Sequence, residues 1–162
     1  MLTLSHPDYP PRLRDIHDPP PVLFVHGDYT LLSSLQLAMV GTRTPSERGK
    51  KLAWEFAEYL SSRGFTITSG MAFGIDAACH DGALKGSGKT VAVAGTGLDR
   101  VYPAQHRDLA YKISEKGALV SEFLPGTIAK PTNFPRRNRV ISGLCVGTLV
   151  VEAPLHSGAL YT

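Results

Sequence analysis

Leu37-Ala38-Met39-Val40-Gly41-Thr42-Arg43-Thr44-Pro45-Ser46-Glu47 runs from an unbroken apolar segment, through a glycine turn, into the start of a helix. An apolar run that does not alternate with polar residues reads as a strand covered on both faces. Thr44-Pro45-Ser46-Glu47 has the form of a capping box with proline at the first helical position. Leu52, Phe56 and Leu60 follow at helical spacing as one apolar face, and Gly64 ends the helix. The same unit recurs along the chain. Phe65–Thr68, Thr90–Ala94, Ala118–Ser121 and Thr148–Ala153 are further short apolar runs, separated by helices predicted over Ile75–Lys85, Gln105–Glu115 and Arg136–Cys145. Such alternation predicts an α/β fold with a doubly wound, mostly parallel sheet. Val22-Leu23-Phe24-Val25, preceded by Asp18-Pro19-Pro20-Pro21, reads as an added N-terminal edge strand, because prolines cannot donate to a sheet ladder. Residues 1–35 are thus expected to pack as an extension on the sheet edge, with 36–162 as a single structural unit.

Composition sets the broad class. At 162 residues with 43% hydrophobic and 19% charged content, the chain is long enough to bury one sizeable core. No segment approaches the ~20 apolar residues that span a bilayer, and Met1–Pro11 lacks the cationic start and apolar run of a signal peptide, so no membrane partner and a cytoplasmic location are expected. Cys79 and Cys145 have no metal-ligand spacing and read as reduced packing residues; no metal and no cofactor are expected. A net charge of +3 implies a local basic patch and not a general cationic coat.

In an open parallel sheet, ligands bind beyond the carboxyl ends of the strands. Those ends here read Gly41-Thr42-Arg43, Ser69-Gly70-Met71-Ala72 and Gly95-Thr96-Gly97, with a long loop over 124–133 after the fourth run. Small residues there leave room for a ligand and let backbone amides approach oxygen atoms. The loop leads into Phe134-Pro135-Arg136-Arg137-Asn138-Arg139, and from Phe123 to Val151 there is no acidic residue. Cations in a first helical turn oppose the helix dipole unless an anion compensates them. Each arginine can pair with a distant carboxylate such as Asp76, Glu122 or Glu152, whereas all three together point to a phosphate backbone. Lys130 and Arg136 flank Phe134, which can stack on a base or act as a hydrophobic staple ahead of the helix. Asp76, near a helix start, reads as support for Arg43 or for the later arginines; His80, four residues on, shares its face and can bond to it.

Taken in order, Tyr9-Pro10 with Leu13, Pro21–Gly27, Val40–Arg43, Ser69–His80, Tyr102-Pro103, Phe134–Leu144, and Val151-Glu152-Ala153 followed by Ser157-Gly158 resemble the DNA-processing protein A family, also called Smf. The resemblance implies an extended Rossmann-like fold, sequence-independent binding of single-stranded DNA, and help in loading the RecA recombinase on DNA taken up in natural transformation, without catalysis. It also implies that Arg43 is the main phosphate-contacting arginine, on the turn Gly41-Thr42, with Ser69, Gly70, Lys130, Phe134, Arg136, Arg137 and Arg139 as further DNA contacts. Asp76, His80, Asn138 and Glu152 are expected to support them. Phe73 and Thr42 depart from common family residues. The family continues beyond the point matching Thr162, so the domain is expected to be incomplete at its C-terminus, some RecA and self-association contacts to be missing, and the uncovered last strand to favour a homodimer or marginal stability.

Two motifs are decoys. Gly86-Ser87-Gly88-Lys89-Thr90 resembles the end of a Walker A motif but precedes a strand, so it is a helix-to-strand turn. Gly95-Thr96-Gly97 lacks the third glycine of a dinucleotide fingerprint. The alternative function is an N-glycosidic nucleotide hydrolase of the phosphoribohydrolase type, in which Glu152 is the carboxylate available on the last strand.

Overall fold

The computed structural model describes residues 1–86 and 88–162, so the turn expected over 86–90 includes one position, Ser87, outside the described residues. A seven-stranded sheet forms the middle layer, in the order β1-β2-β6-β5-β4-β3-β7. Its strands are β1 (Leu2–Thr3), β2 (Val22–Gly27), β3 (Gln36–Gly41), β4 (Thr66–Ser69), β5 (Lys89–Val93), β6 (Ala118–Ser121) and β7 (Thr148–Glu152). The five strands from β3 to β7 coincide with the five apolar runs and pair in parallel. β4 and β6 are buried along their whole length, which is why they read as continuous apolar segments.

The helices are α1 (Pro11–Arg14), α2 (Glu47–Ser62), α3 (Ile75–Leu84), α4 (Arg107–Lys116) and α5 (Asn133–Leu144). Ala53, Ala57, Ile75 and Cys79 on α2 and α3 pack with Met39 and Ile67 on one face of the sheet. α4 continues that layer through Leu109 and Ile113. On the other face, Val140, Ile141 and Leu144 of α5 share a core with Tyr9, Leu13, Leu23 and Leu32 from the N-terminal segment. The three crossovers from β3 to β6 step away from β3 on one side, and α5 then returns the chain to place β7 on the other. β3 is therefore the switch point at which strand order reverses, and a crevice opens at its carboxyl end.

Three expectations need correction. β2 does pair antiparallel with β6, but it is not the edge: Leu2 and Thr3 pair with Leu23 and Val22 as an outer strand too short to show in the sequence. The predicted apolar stripe of α2 is also displaced. Gly49, Ala53, Ala57 and Ser61 are the buried residues, while Phe56 is 47% exposed. Small side chains let α2 approach α3 closely, and the larger residues flank that contact. The helix begins at Glu47 with Ser46, not Thr44, as its cap: the Ser46 hydroxyl accepts the Gly49 amide at 3.0 Å.

Beneath the crevice the loop after β4 is pinned by His80. Its Nε2 lies 2.6 Å from the Gly70 carbonyl and its Nδ1 2.7 Å from the Thr90 hydroxyl. Burial pushes the ring down to about 4, so it is neutral at pH 7 and donates from Nε2 to the Gly70 carbonyl, while the single Thr90 hydroxyl proton is shared between Nδ1 and the Ile67 carbonyl, 2.6 Å away. The expected contact with Asp76 is absent among the described residues, because both ring nitrogens already have partners.

Because the folded value lies below the ordinary value of 6.5, the unfolded chain takes up the proton first as the medium is acidified. Stability that is present above pH 6.5 is therefore lost as the pH falls through that window to about 4, by an amount on the order of 3 kcal/mol. Asp76, raised by burial, acts in the opposite direction, so the comparison of wild type with His80→Gln isolates the histidine. Urea titrations from pH 7 to 4 are expected to show a smaller acid loss in His80→Gln; an equal loss in both proteins contradicts the assignment.

Candidate nucleic-acid interface

A cleft of about 570 Å³ lies at the carboxyl end of β3. Gly41, Thr42 and Arg43 form one wall, Asp76 lies on a second, and Lys130, Phe134, Arg137 and Asn138 come from the loop before α5 and from α5 itself. Ser157, Gly158 and Ala159 close it beyond β7. The turn carrying Arg43 is held by backbone bonds: the Thr42 amide donates to the Glu152 carbonyl at 2.7 Å, and the Ile75 amide donates to the Thr42 carbonyl at 3.1 Å. Gly74 allows this approach, with φ +79° and a position whose Cβ would lie 2.5 Å from the Thr42 carbonyl oxygen.

The floor is a buried charge arrangement. Arg137 and Asp76 are each 6% exposed. A Cβ on Gly70 would lie 2.5 Å from Asp76 Oδ2 and 2.6 Å from Arg137 Nη1, so glycine is required for the two groups to converge there. The Arg137 guanidinium donates to the Val93 carbonyl and, through Nε, to Asn138 Oδ1 at 3.1 Å. Asp76 Oδ2 accepts the Ala72 amide at 3.3 Å. Burial raises the Asp76 carboxyl, and the Arg137 charge opposes that shift. Burial likewise lowers Arg137, opposed by Asp76. Ser69 lies behind this floor with its hydroxyl on the Met39 carbonyl, 2.6 Å away. Asp76 thus supports Arg137 and the Ser69–Ala72 loop more directly than it supports Arg43, which is the smaller electrostatic influence on it.

The arginine cluster divides. α5 starts at Asn133, so Arg136, Arg137 and Arg139 are its fourth, fifth and seventh residues and do not load the first turn with cations. Asn133 fixes the earlier start: its side-chain amide donates to the Gly95 carbonyl at 2.9 Å and its backbone amide to the Lys130 carbonyl at 3.0 Å. Arg136 and Arg139 turn away from the cleft to Glu122, whose side chain is 2% exposed, with contacts of 3.0 and 2.6 Å. Arg139 also reaches Asp18 at 3.3 Å. The acid-free stretch is balanced by carboxylates distant in sequence, as the pairing alternative allowed for each arginine singly.

Phe134 is the second residue of α5 and not a staple ahead of it. Its ring lies against Gly95, where a Cβ would come within 3.0 Å of the ring carbons. The Arg43 guanidinium sits over the ring at 5.4 Å from the centroid, Arg137 at 6.0 Å, and the Tyr102 ring at 5.8 Å. Tyr102 and Asn133 were not singled out as site residues; Pro135, two residues after Asn133, is a first-turn signal that could have placed the helix start near Asn133. Glu152 is committed elsewhere. Its oxygens accept the Ser46 amide at 2.8 Å and the Ser46 hydroxyl at 2.6 Å, which lowers the carboxyl below its usual range. It caps α2 and is not among the residues lining the cleft, where a nucleotide hydrolase needs its carboxylate. Among the described residues no group of three His, Cys, Asp or Glu could hold a metal, and no helix is long and apolar enough to cross a membrane.

Comparison with known proteins agrees with this architecture. The chain is 50% identical to protein Smf of Escherichia coli over 155 residues, covering 95% of the chain and 41% of that protein. It is 39% identical to the DNA processing protein DprA of Bacillus subtilis over 162 residues, covering 99% of the chain and 54% of that protein. The chain thus spans about half the length of these relatives. Among solved structures, the DNA processing protein A of Streptococcus pneumoniae superposes with a TM-score of 0.94 at 40% identity, over 99% of this chain and 56% of that one. That of Helicobacter pylori, described for its unique single-stranded DNA binding mode, superposes with a TM-score of 0.89 at 30% identity, over 94% of this chain and 70% of that one. With residues 1–162 also matching the profile of DNA recombination-mediator protein A, the chain belongs to that family, and its Rossmann-like domain is the family's fold.

Proposed function

We propose that this chain binds single-stranded DNA with little sequence preference, by clasping the phosphate backbone at the carboxyl end of β3 and stacking a base at Phe134. The observation that carries the proposal is the division of the cations. Arg136 and Arg139 are paired with Glu122, whereas Arg43 and Lys130 line the cleft and, among the described residues, have no carboxylate within ion-pairing distance. Free guanidinium and ammonium groups around an aromatic ring match what a single strand presents: regularly spaced phosphates and exposed base faces. The solved relative described for single-stranded DNA binding supports the same reading. We also propose that Gly41 and Thr42 contribute through their backbone, that the protein acts in the cytoplasm to protect incoming DNA and assist RecA loading, and that it does so as a non-catalytic protein. Self-association as a homodimer is part of the same proposal.

Three outcomes test the proposal. Single-stranded oligonucleotides are expected to bind more tightly than duplex under matched salt in a gel-shift titration, and equal or tighter duplex binding contradicts it. Arg43→Ala is expected to weaken single-strand binding strongly with little change in melting temperature, and Arg43→Lys to recover part of the loss, because an ammonium cannot reproduce the guanidinium fork. A large drop in melting temperature with binding intact in the folded fraction would make Arg43 a structural residue. Arg139→Ala is expected to do the reverse, costing stability by leaving buried Glu122 with one cation fewer while affinity changes little; a large affinity loss at unchanged stability would return Arg139 to the DNA contacts.

A further inference from the structure

The aromatic platform proposed to take a base is already occupied. Gly95 packs against the Phe134 ring through its backbone, Arg137 is anchored by the Val93 carbonyl and Asn138, and Arg43 lies over the ring at 5.4 Å. The Tyr102 ring lies alongside, its centroid 5.8 Å away; of the two cations over the ring only Arg43 can leave at little cost. It is exposed, and among the described residues its guanidinium has no hydrogen bond or ion pair, so the ring face is what holds it. A base arriving alone must displace that cation and return nothing to it. A base arriving on its own strand brings a phosphate, and a charge-assisted fork to phosphate is stronger than an exposed contact between a cation and a ring.

We propose that Arg43 is a specificity-determining residue: in the free protein it covers the Phe134 face, and it yields that face only to a base that carries a phosphate to receive the guanidinium. This rests on the single-strand reading and goes beyond it, because it assigns Arg43 two positions and makes the first oppose the second. Free nucleosides and nucleobases are thereby disfavoured, whereas oligonucleotides exchange one arginine contact for another. The consequence is a change of sign. Removing Arg43 harms a phosphate-bearing ligand but helps an uncharged one.

The test uses adenosine, which has a base and no phosphate, alongside a twenty-nucleotide oligothymidylate, on wild type, Arg43→Ala and Phe134→Leu. Adenosine is followed by nuclear magnetic resonance shifts of the Phe134 ring protons, and in Phe134→Leu by those of Tyr102. Arg43→Ala is expected to bind adenosine more tightly than wild type by about two- to fivefold, the size of an exposed cation–ring contact, while losing oligothymidylate affinity. Phe134→Leu is expected to lose adenosine binding. Equal or weaker adenosine binding by Arg43→Ala overturns the proposal, as does adenosine binding that survives in Phe134→Leu or is undetectable in every protein. If wild type binds adenosine but not oligothymidylate, it is the single-strand reading that fails.

Discussion

A buried guanidinium and a buried carboxylate meeting across a glycine set the geometry of everything around them. The two are not in direct ion contact, but each is buried and each charge opposes the cost of burying the other, so removing either makes the one that remains harder to bury. Arg137 and Asp76 therefore constrain three elements at once: α5, the start of α3, and the loop after β4 that carries Gly70. The Val93 carbonyl ties the same guanidinium to the end of β5. Because Arg137 is held by the Val93 carbonyl and Asn138, and Asp76 by the Ala72 amide, the cleft above them can present cations that are not spent on the fold.

That division of labour is clearest along α5. One helix face places Val140, Ile141 and Leu144 in the core. Arg136 and Arg139 close on Glu122 and fasten the helix beyond the end of β6, and Arg139 extends the network to Asp18 in the N-terminal segment. Phe134, at the helix start, projects toward the turn of β3 and meets Arg43. A stretch with no acidic residue thus serves packing and structural charge pairing and lines the cleft from neighbouring positions.

The layered sheet was legible because strands covered on both faces are largely apolar: β3 to β6 appear as such runs, and β7 is an apolar run although it lies at the edge and is only partly covered. Arg43 was legible as a cleft residue because its place follows from topology: an arginine one residue past the glycine turn of the switch-point strand has only the crevice to face. The partner of Arg136 and Arg139 was legible only as one of three candidate carboxylates, Asp76, Glu122 and Glu152. Glu122 lies 14 and 17 residues before the two cations it holds, and nothing local marks the pairing. The role of Glu152 as a cap for α2 spans 106 residues. The start of α5 was misplaced for a related reason, since Asn133 is fixed by carbonyls of residues 95 and 128, contacts that only the tertiary fold creates.

The central claim is that the cleft cations, and not the Glu122-paired ones, neutralise phosphate. Each phosphate neutralised on a single strand contributes about 0.7 to the slope of log affinity against log salt. Measuring that slope for wild type, Arg43→Ala and Arg136→Ala on the same oligothymidylate tests the claim most directly. The account predicts a slope shallower by about one such step in Arg43→Ala and unchanged in Arg136→Ala. A slope reduced in Arg136→Ala but preserved in Arg43→Ala would contradict it.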